Sequence, residues 1–269
     1  MANSLPEFER PPLDEVVIGV QFEPLSKLHA AHVGLYWSRI RDRYPLTEDQ
    51  PPLAKVVESQ KLEPQLPPSI LLQTQAFLPR AWFLNESRLQ LIQVQQDRFL
   101  RNWRQLEGDE PYPRFRALLG QFRQEWEGFL AFVREENLGE PAVNQCEVNY
   151  VNHIPLGAGW NSFSELPGVF TLLADRAGDG SLPKLDFLSW RARYDLPNGG
   201  GKLVVEMNPA FRGRDLKLVL VLGLTARGRP ASASMDGLLP WFEVAHRWIV
   251  TAFDQLTSTE MHNLWKKKP

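Results

Sequence analysis

The chain has 269 residues, 43% hydrophobic and 23% charged, enough apolar material for one large globular domain or two closely packed halves and too much for a disordered chain. Its 30 Lys and Arg against 32 Asp and Glu leave a formal charge of −2, so no overall basic field favours nucleic acid, and any such contact needs a local patch. The single cysteine, Cys146, excludes an intramolecular disulfide and a zinc site built from thiolates.

The opening "MANSLPEFERPP" has neither a basic leader nor an apolar core, and no apolar run approaches the roughly 18 residues of a membrane helix. A cytoplasmic protein that makes no use of a membrane is expected. "LDEVVIGVQFEPL" carries Val16, Val17, Ile18 and Val20 and ends at Pro24, the composition of a strand. "SKLHAAHVGLYWSRIRDRYP" repeats apolar residues at Leu28, Ala31, Leu35 and Ile40 and predicts a helix capped by Ser26.

Residues 45–80 hold seven prolines and predict a long surface excursion with a short edge strand near "SILLQTQ". "AWFLN" and "SRLQLIQVQQDRF" then read as a hairpin. "YPRFRALLGQFRQEWEGFLAFVREENL" places Phe115, Leu118, Phe122, Trp126, Phe129 and Val133 on one stripe and predicts a long helix ended by Gly139 and Pro141.

The second half follows the same order. "NQCEVNYVNHIPL" reads as a strand, and a helical segment over "WNSFSELPGVFTLLADRAG" is broken by Pro167. Strands over "LDFLSWRARYDL", "GKLVVEMN" and "DLKLVLVLGLTARG" follow, the first two joined across "PNGGG". A helix from about Leu238 through "PWFEVAHRWIVTAFDQL" and a short helix in "TSTEMHNLWKK" close the chain. The expected class is α+β: a large, mainly antiparallel sheet with long aromatic helices packed on one face, in two pseudo-repeated halves, 1–140 and 141–269, forming one unit.

Candidate site residues follow from the period of two. In "CEVNYVNHI", Glu147, Asn149, Val151 and His153 fall on one face and Cys146, Val148, Tyr150 and Ile154 on the other. The same reading groups Gln93, Gln95 and Asp97, pairs Glu206 with Asn208, and aligns Ser189, Arg191, Arg193 and Asp195. Were these strands neighbours, one face of the sheet would carry a row of amides, carboxylates and guanidiniums able to bind a polar partner; an antiparallel sheet with one side in water explains the same pattern. "DRFLRNWR" offers Arg98, Arg101 and Arg104 with Trp103, a phosphate-contacting or cation-π cluster, or else a strand end whose tryptophan is core.

Among the histidines, His29 and His32 have helical i, i+3 spacing but no third ligand nearby, and His246 has Glu243 one turn away to orient its ring. No dinucleotide fingerprint, phosphate-loop lysine, HExxH or nucleophile elbow occurs, so no cofactor or metal is implied.

The blocks "PPLDEVVIGVQFEPL", "DRFLRNWR" with "YPRF", "NYVNHI" and "AHRWIVTAFDQLTSTEMHNLW" resemble the successive signatures of a sporadically distributed family of uncharacterised bacterial proteins of about this length. That family commonly has Gly-Arg after its C-terminal tryptophan; here Lys266 and Lys267 follow Trp265. The resemblance implies a bacterial cytoplasmic protein with no assigned activity or cofactor, and patchy distribution suggests a defence or toxin-antitoxin neighbourhood. Carried over singly, the shared positions are Gln95, Asp97, Arg98, Asn102, Trp103, Asn149, Tyr150, Asn152, His153, His246 and His262.

Two functional expectations result. The first is a non-catalytic binding protein whose polar face engages a protein partner, another copy of the chain, or, less favoured by net charge, a nucleotide or nucleic acid. It predicts that Gln95, Asn149 and His153 lie exposed on one concave surface. The rival is a hydrolase or nucleotide-processing enzyme in which His153 works with Asp97 or Glu206.

Overall fold

The computed structural model describes residues 5–55, 78–106, 110–176 and 182–269. In chain order these form β1 (Leu13–Phe22), α1 (Ala30–Ile40), β2 (Leu46–Gln50), β3 (Arg80–Leu84), β4 (Gln90–Gln95), β5 (Arg98–Arg104), α2 (Phe115–Glu135), β6 (Val143–Pro155), 3-10 turns over Phe163–Gly168 and Thr171–Arg176, β7 (Trp190–Leu196), β8 (Gly201–Phe211), β9 (Leu218–Gly228), α3 (Met235–Leu256) and α4 (Thr259–Leu264). About a third of the chain is helical and about a third strand, so the class is α+β.

The nine strands among the described residues make one sheet in the order β2-β3-β4-β5-β1-β6-β9-β8-β7. Every neighbouring pair is antiparallel. β1, the β-branched run, pairs with β6 at its centre from Leu13 opposite Asn152 to Phe22 opposite Val143. β1 is buried along most of its length, which suits its valines and isoleucine, whereas β6 alternates between buried and half-buried positions.

Side chains of β1 alternate between two environments. Val16, Ile18 and Val20 are fully buried and share a face with Trp103, Arg101 and Phe99 of β5 and with Tyr150, Val148 and Cys146 of β6. α2 meets this face: Trp126 and Phe129 contact Phe22 and Phe99. Phe122 of α2 in turn meets Phe242 of α3 edge-on, 5.1 Å between centroids. Each such ring taken out of water contributes about 1.5–3 kcal/mol relative to leaving it exposed.

Several boundaries differ from the sequence reading. Ser26 caps nothing: a turn closed by Leu28 N–H to Leu25 O precedes the helix, which starts at Ala30 behind His29. The run "SRLQLIQVQQDRF" is not one arm of a hairpin but two strands, β4 and β5, turning at Gln96 and Asp97. An edge strand does lie in the proline-rich excursion, at Leu46–Gln50 on β3; "SILLQTQ" lies outside the described residues. α3 begins at Met235, three residues before Leu238, and takes Pro240 as its sixth residue, so the helix forgoes one backbone hydrogen bond there.

"PNGGG" closes the β7–β8 hairpin with Asn198 and Gly199 at positive φ, 56° and 70°. Gly201 follows at φ 123°, and a Cβ there would stand 2.0 Å from Arg227 O on β9. Only glycine combines that conformation with that approach. No described helix is long and apolar enough to cross a membrane.

Candidate functional site

The face opposite the aromatic core carries most of the polar residues singled out by alternation. Over β6, β9, β8 and β7 they meet as cross-strand pairs. Glu147 is ion-paired with Arg227, opposite it in register. Asn149 Oδ1 accepts a 2.9 Å bond from Thr225 Oγ1, Arg191 lies 2.9 Å from Glu206, and Asp195 pairs with Lys202. Directly opposite side chains are the nearest neighbours a sheet offers, so these charges offset one another. Their exposure rises towards the sheet edge: the side chains of Arg191 and Glu206 are 52% and 40% exposed, those of Arg227 and Glu147 21% and 19%.

Over β4 and β5 the same face is closed. Gln93, Gln95, Asp97, Arg98 and Asn102 are all under 9% exposed. Residues just beyond β2 lie on them: Gln95 Oε1 accepts from Leu53 N–H at 2.8 Å while its Nε2 donates to Leu53 O at 3.0 Å and to Asp97 at 2.8 Å. Arg98 donates to Gln21 Oε1 at 2.6 Å and Ala54 O at 3.0 Å. The expectation that Gln95 is exposed beside Asn149 and His153 is thus overturned, because its amide is used as a backbone substitute for the segment covering it.

A hydrogen-bonded chain runs across this region. Arg80 and Trp82 donate to Gln93 Oε1 at 2.8 and 3.1 Å, Gln93 donates to Asn102 at 2.8 Å, and Asn102 donates to Glu15 at 2.7 Å. Burial raises the Glu15 carboxyl above its ordinary range, against the Asn102 bond and the Arg104 charge, which lower it.

The arginines of "DRFLRNWR" do not form one cluster. Arg98 and Arg104 share the polar face, whereas Arg101 and Trp103 face the core. Arg101 donates to Gln90 and Gln121 at 2.8 and 2.5 Å, and Trp103 packs 5.4 Å from Tyr112. The cation-π contacts of this region involve Trp82, with Arg80 and Arg104 at 5.4 and 5.5 Å.

His153 stands neither with Asp97 nor with Glu206. Asp97 lies in the β4–β5 turn, beside Arg98 at the opposite end of β1 from Leu13, and Glu206 pairs with Arg191. The imidazole instead finds Asp14, whose Oδ1 lies 2.9 Å from Nδ1. A β-bulge causes this: between Leu13 and Glu15 the register to β6 slips by one, and the extra residue turns Asp14 onto the polar side. Arg214 reaches Asp14 at 3.4 Å, and a cleft of about 1140 Å³ around the pair is also lined by Arg10, Arg212, Asp215 and Lys217. A side-chain hydrogen bond from Arg212 holds the Asp215 carboxyl well below the usual carboxylate range.

Asn152 and His246 are on the other side of the sheet. Asn152 follows Tyr150 by two on the core face and is 2% exposed, donating to Leu222 O at 3.1 Å. His246 is not oriented by Glu243. Its Nδ1 lies 3.0 Å from Tyr150 Oη, which is 2.9 Å from Tyr112 Oη, and its ring stacks on Phe115 at 4.1 Å. Burial, with the Arg116 charge, lowers its pKa to about 4, so the imidazole is neutral near pH 7. Sequence periodicity puts Tyr150 in the core; its junction with Tyr112 and His246 has no local signal.

His262 bonds Thr257 Oγ1 through Nε2 at 2.9 Å and lies 3.7 Å from Asp254. The His29 and His32 rings are 5.9 Å apart near the start of α1. Among the described residues no three His, Cys, Asp or Glu side chains gather as a metal site.

No family model and no curated protein matches the chain. Among solved structures, it is similar to DynU16, a protein of the dynemicin biosynthetic locus, at 12% identity over 66% of this chain and 68% of that one, with a TM-score of 0.26. That likeness is too slight to bear on fold relationship or function.

Proposed function

We propose that this is a non-catalytic binding protein of a bacterial multi-component system, of the defence or toxin-antitoxin kind, which engages a protein partner through the open half of its polar sheet face. The observation that carries the reading is the set of matched, solvent-touching pairs over β6, β9, β8 and β7: Glu147 with Arg227, Asn149 with Thr225, and Arg191 with Glu206. A surface of balanced charges and amides suits partner recognition by exchange of ion pairs and hydrogen bonds, with orientation and specificity set by charge pattern. Gln95, Asp97, Arg98 and Asn102 serve as the closed half that braces this surface, while Glu147, Asn149 and His153 belong to the contact.

The same reading takes the molecule as two related halves whose long aromatic helices share the face away from the partner. In its favour, the order β3-β4-β5-β1 is mirrored by β7-β8-β9-β6, and α2 follows β5 as α3 follows β9.

The test is affinity purification of the tagged chain from its host, with mass spectrometry and nucleic-acid staining, comparing wild type with Asn149→Ala/His153→Ala. The expected outcome is a stoichiometric protein partner lost from the double variant while its circular dichroism is unchanged. Undiminished capture by the folded variant would remove the polar face from the account.

The rival enzyme reading draws on one observation, the Asp14–His153 approach at 2.9 Å inside an arginine-lined cleft, close in distance although Nδ1 makes no aligned hydrogen bond there. It requires turnover of a phosphate ester or nucleotide by wild type that both Asp14→Asn and His153→Ala abolish.

A further inference from the structure

We propose that the cavity between the N-terminal segment, the start of α2 and the second half of α3 binds a small neutral molecule, mostly hydrocarbon, that carries one hydroxyl group. The cavity measures about 320 Å³, within the roughly 300–1,000 Å³ of small-molecule pockets. Its walls include Phe8, Leu13, Leu224, Ile249 and Phe253, all buried. Apolar side chains at these walls gain dispersion contacts from an apolar occupant.

The lining also carries polar atoms, and Asn152 supplies an acceptor among them. Asn152 lines the cavity, is 2% exposed, and spends its amide N–H on Leu222 O. Its Oδ1 accepts no hydrogen bond from a described residue and stays open to the cavity rather than sealed in the core. An acceptor in that position favours a ligand that brings a donor. Tyr150, two residues earlier on the same face, does not compete for that role, since its hydroxyl is already engaged by both Tyr112 and His246.

Charge sets the rest of the ligand class. Arg114 and Arg116 are opposed around the cavity by Glu7 and Glu243. Arg114 is further occupied by Phe8 O at 3.2 Å and Glu7 at 3.5 Å. Two cations against two anions leave no net field for a carboxylate or an amine, and a neutral alcohol or phenol is the chemistry that fits.

Isothermal titration of the full chain with 4-pentylphenol, its methyl ether 4-pentylanisole, and decanoate tests this. The phenol is expected to bind saturably, one per chain, with a negative heat-capacity change from apolar burial. The ether, which cannot donate, is expected to bind roughly fivefold more weakly, and decanoate more weakly than the phenol. Val250→Trp, at the cavity wall on α3, should abolish binding without altering the circular dichroism; Val250→Phe, a smaller filling change, serves if that variant does not fold. Absence of saturable phenol binding, equal affinity for phenol and ether, tighter binding of decanoate, or undiminished binding by the filled variants would each overturn the proposal.

Discussion

His246 stays neutral well below the pH at which a free imidazole gains its proton, because its surroundings offer the cation little solvation and place Arg116 nearby. The consequence is a stability that depends on acid. Well above pH 6.5 the ring is neutral in both folded and unfolded chains and contributes nothing to the pH dependence. As pH falls from 6.5 towards 4, the unfolded chain takes up a proton that the folded chain does not, so the folded state loses ground, by on the order of 3 kcal/mol over that interval. Urea unfolding at pH 7 and pH 4.5 should therefore show a smaller loss in His246→Gln than in wild type. Equal losses would mean that the ring is solvated in the folded chain. At this scale the sequence spoke for orientation more than for partnership. Alternation placed Glu147, Asn149 and His153 on one face, and the register agrees. It could not supply Asp14 as the neighbour of His153, since that contact depends on a one-residue slip between strands far apart in sequence. Nor could the family blocks separate Asn152 from His153, which adjacent positions on a strand send to opposite faces.

Among the elements, long periodic segments were the legible ones. The stripe from Phe115 to Val133 became α2, and the β-branched run from Val16 became the strand beside β6. What periodicity missed was the turn at Gln96 and Asp97, because β4 and β5 together look like one continuous alternating run. Burial of Gln95 was equally hidden, since it arises from the covering chain at Leu53 and Ala54 rather than from the strand that carries it. Gln95 makes paired bonds to both backbone groups of Leu53, the arrangement a neighbouring strand would provide. Its removal should free that segment while leaving the sheet intact. In Gln95→Ala, hydrogen exchange at the Leu53 amide is expected to speed up roughly tenfold, the change for a local loss near 1.4 kcal/mol, with amides of β1 and β6 unaffected. Exchange that quickens equally throughout the sheet would show instead that Gln95 supports global stability.

For the whole molecule, the deciding feature is that the central pair of the sheet joins the two halves. β1 and β6 share a ladder about nine residues long, and the aromatic contact between Phe122 and Phe242 ties the helices of the halves together on the core face. Separating the halves would leave β1 and β6 with unpaired edges rich in buried valine and isoleucine, and would open Phe22, Phe99 and Trp126 towards water along that seam. A chain of this length need not unfold in one step, but neither half retains a complete core once the seam opens. Guanidinium unfolding followed by far-ultraviolet circular dichroism and by tryptophan fluorescence is therefore expected to give coincident transitions, with the calorimetric enthalpy equal to the van't Hoff value. Residues 1–140 expressed alone should aggregate through the exposed edge of β1. Two separated transitions, or a monomeric and cooperatively folded 1–140 fragment, would show that each half closes its own core and that the β1–β6 ladder is an interface between independent units.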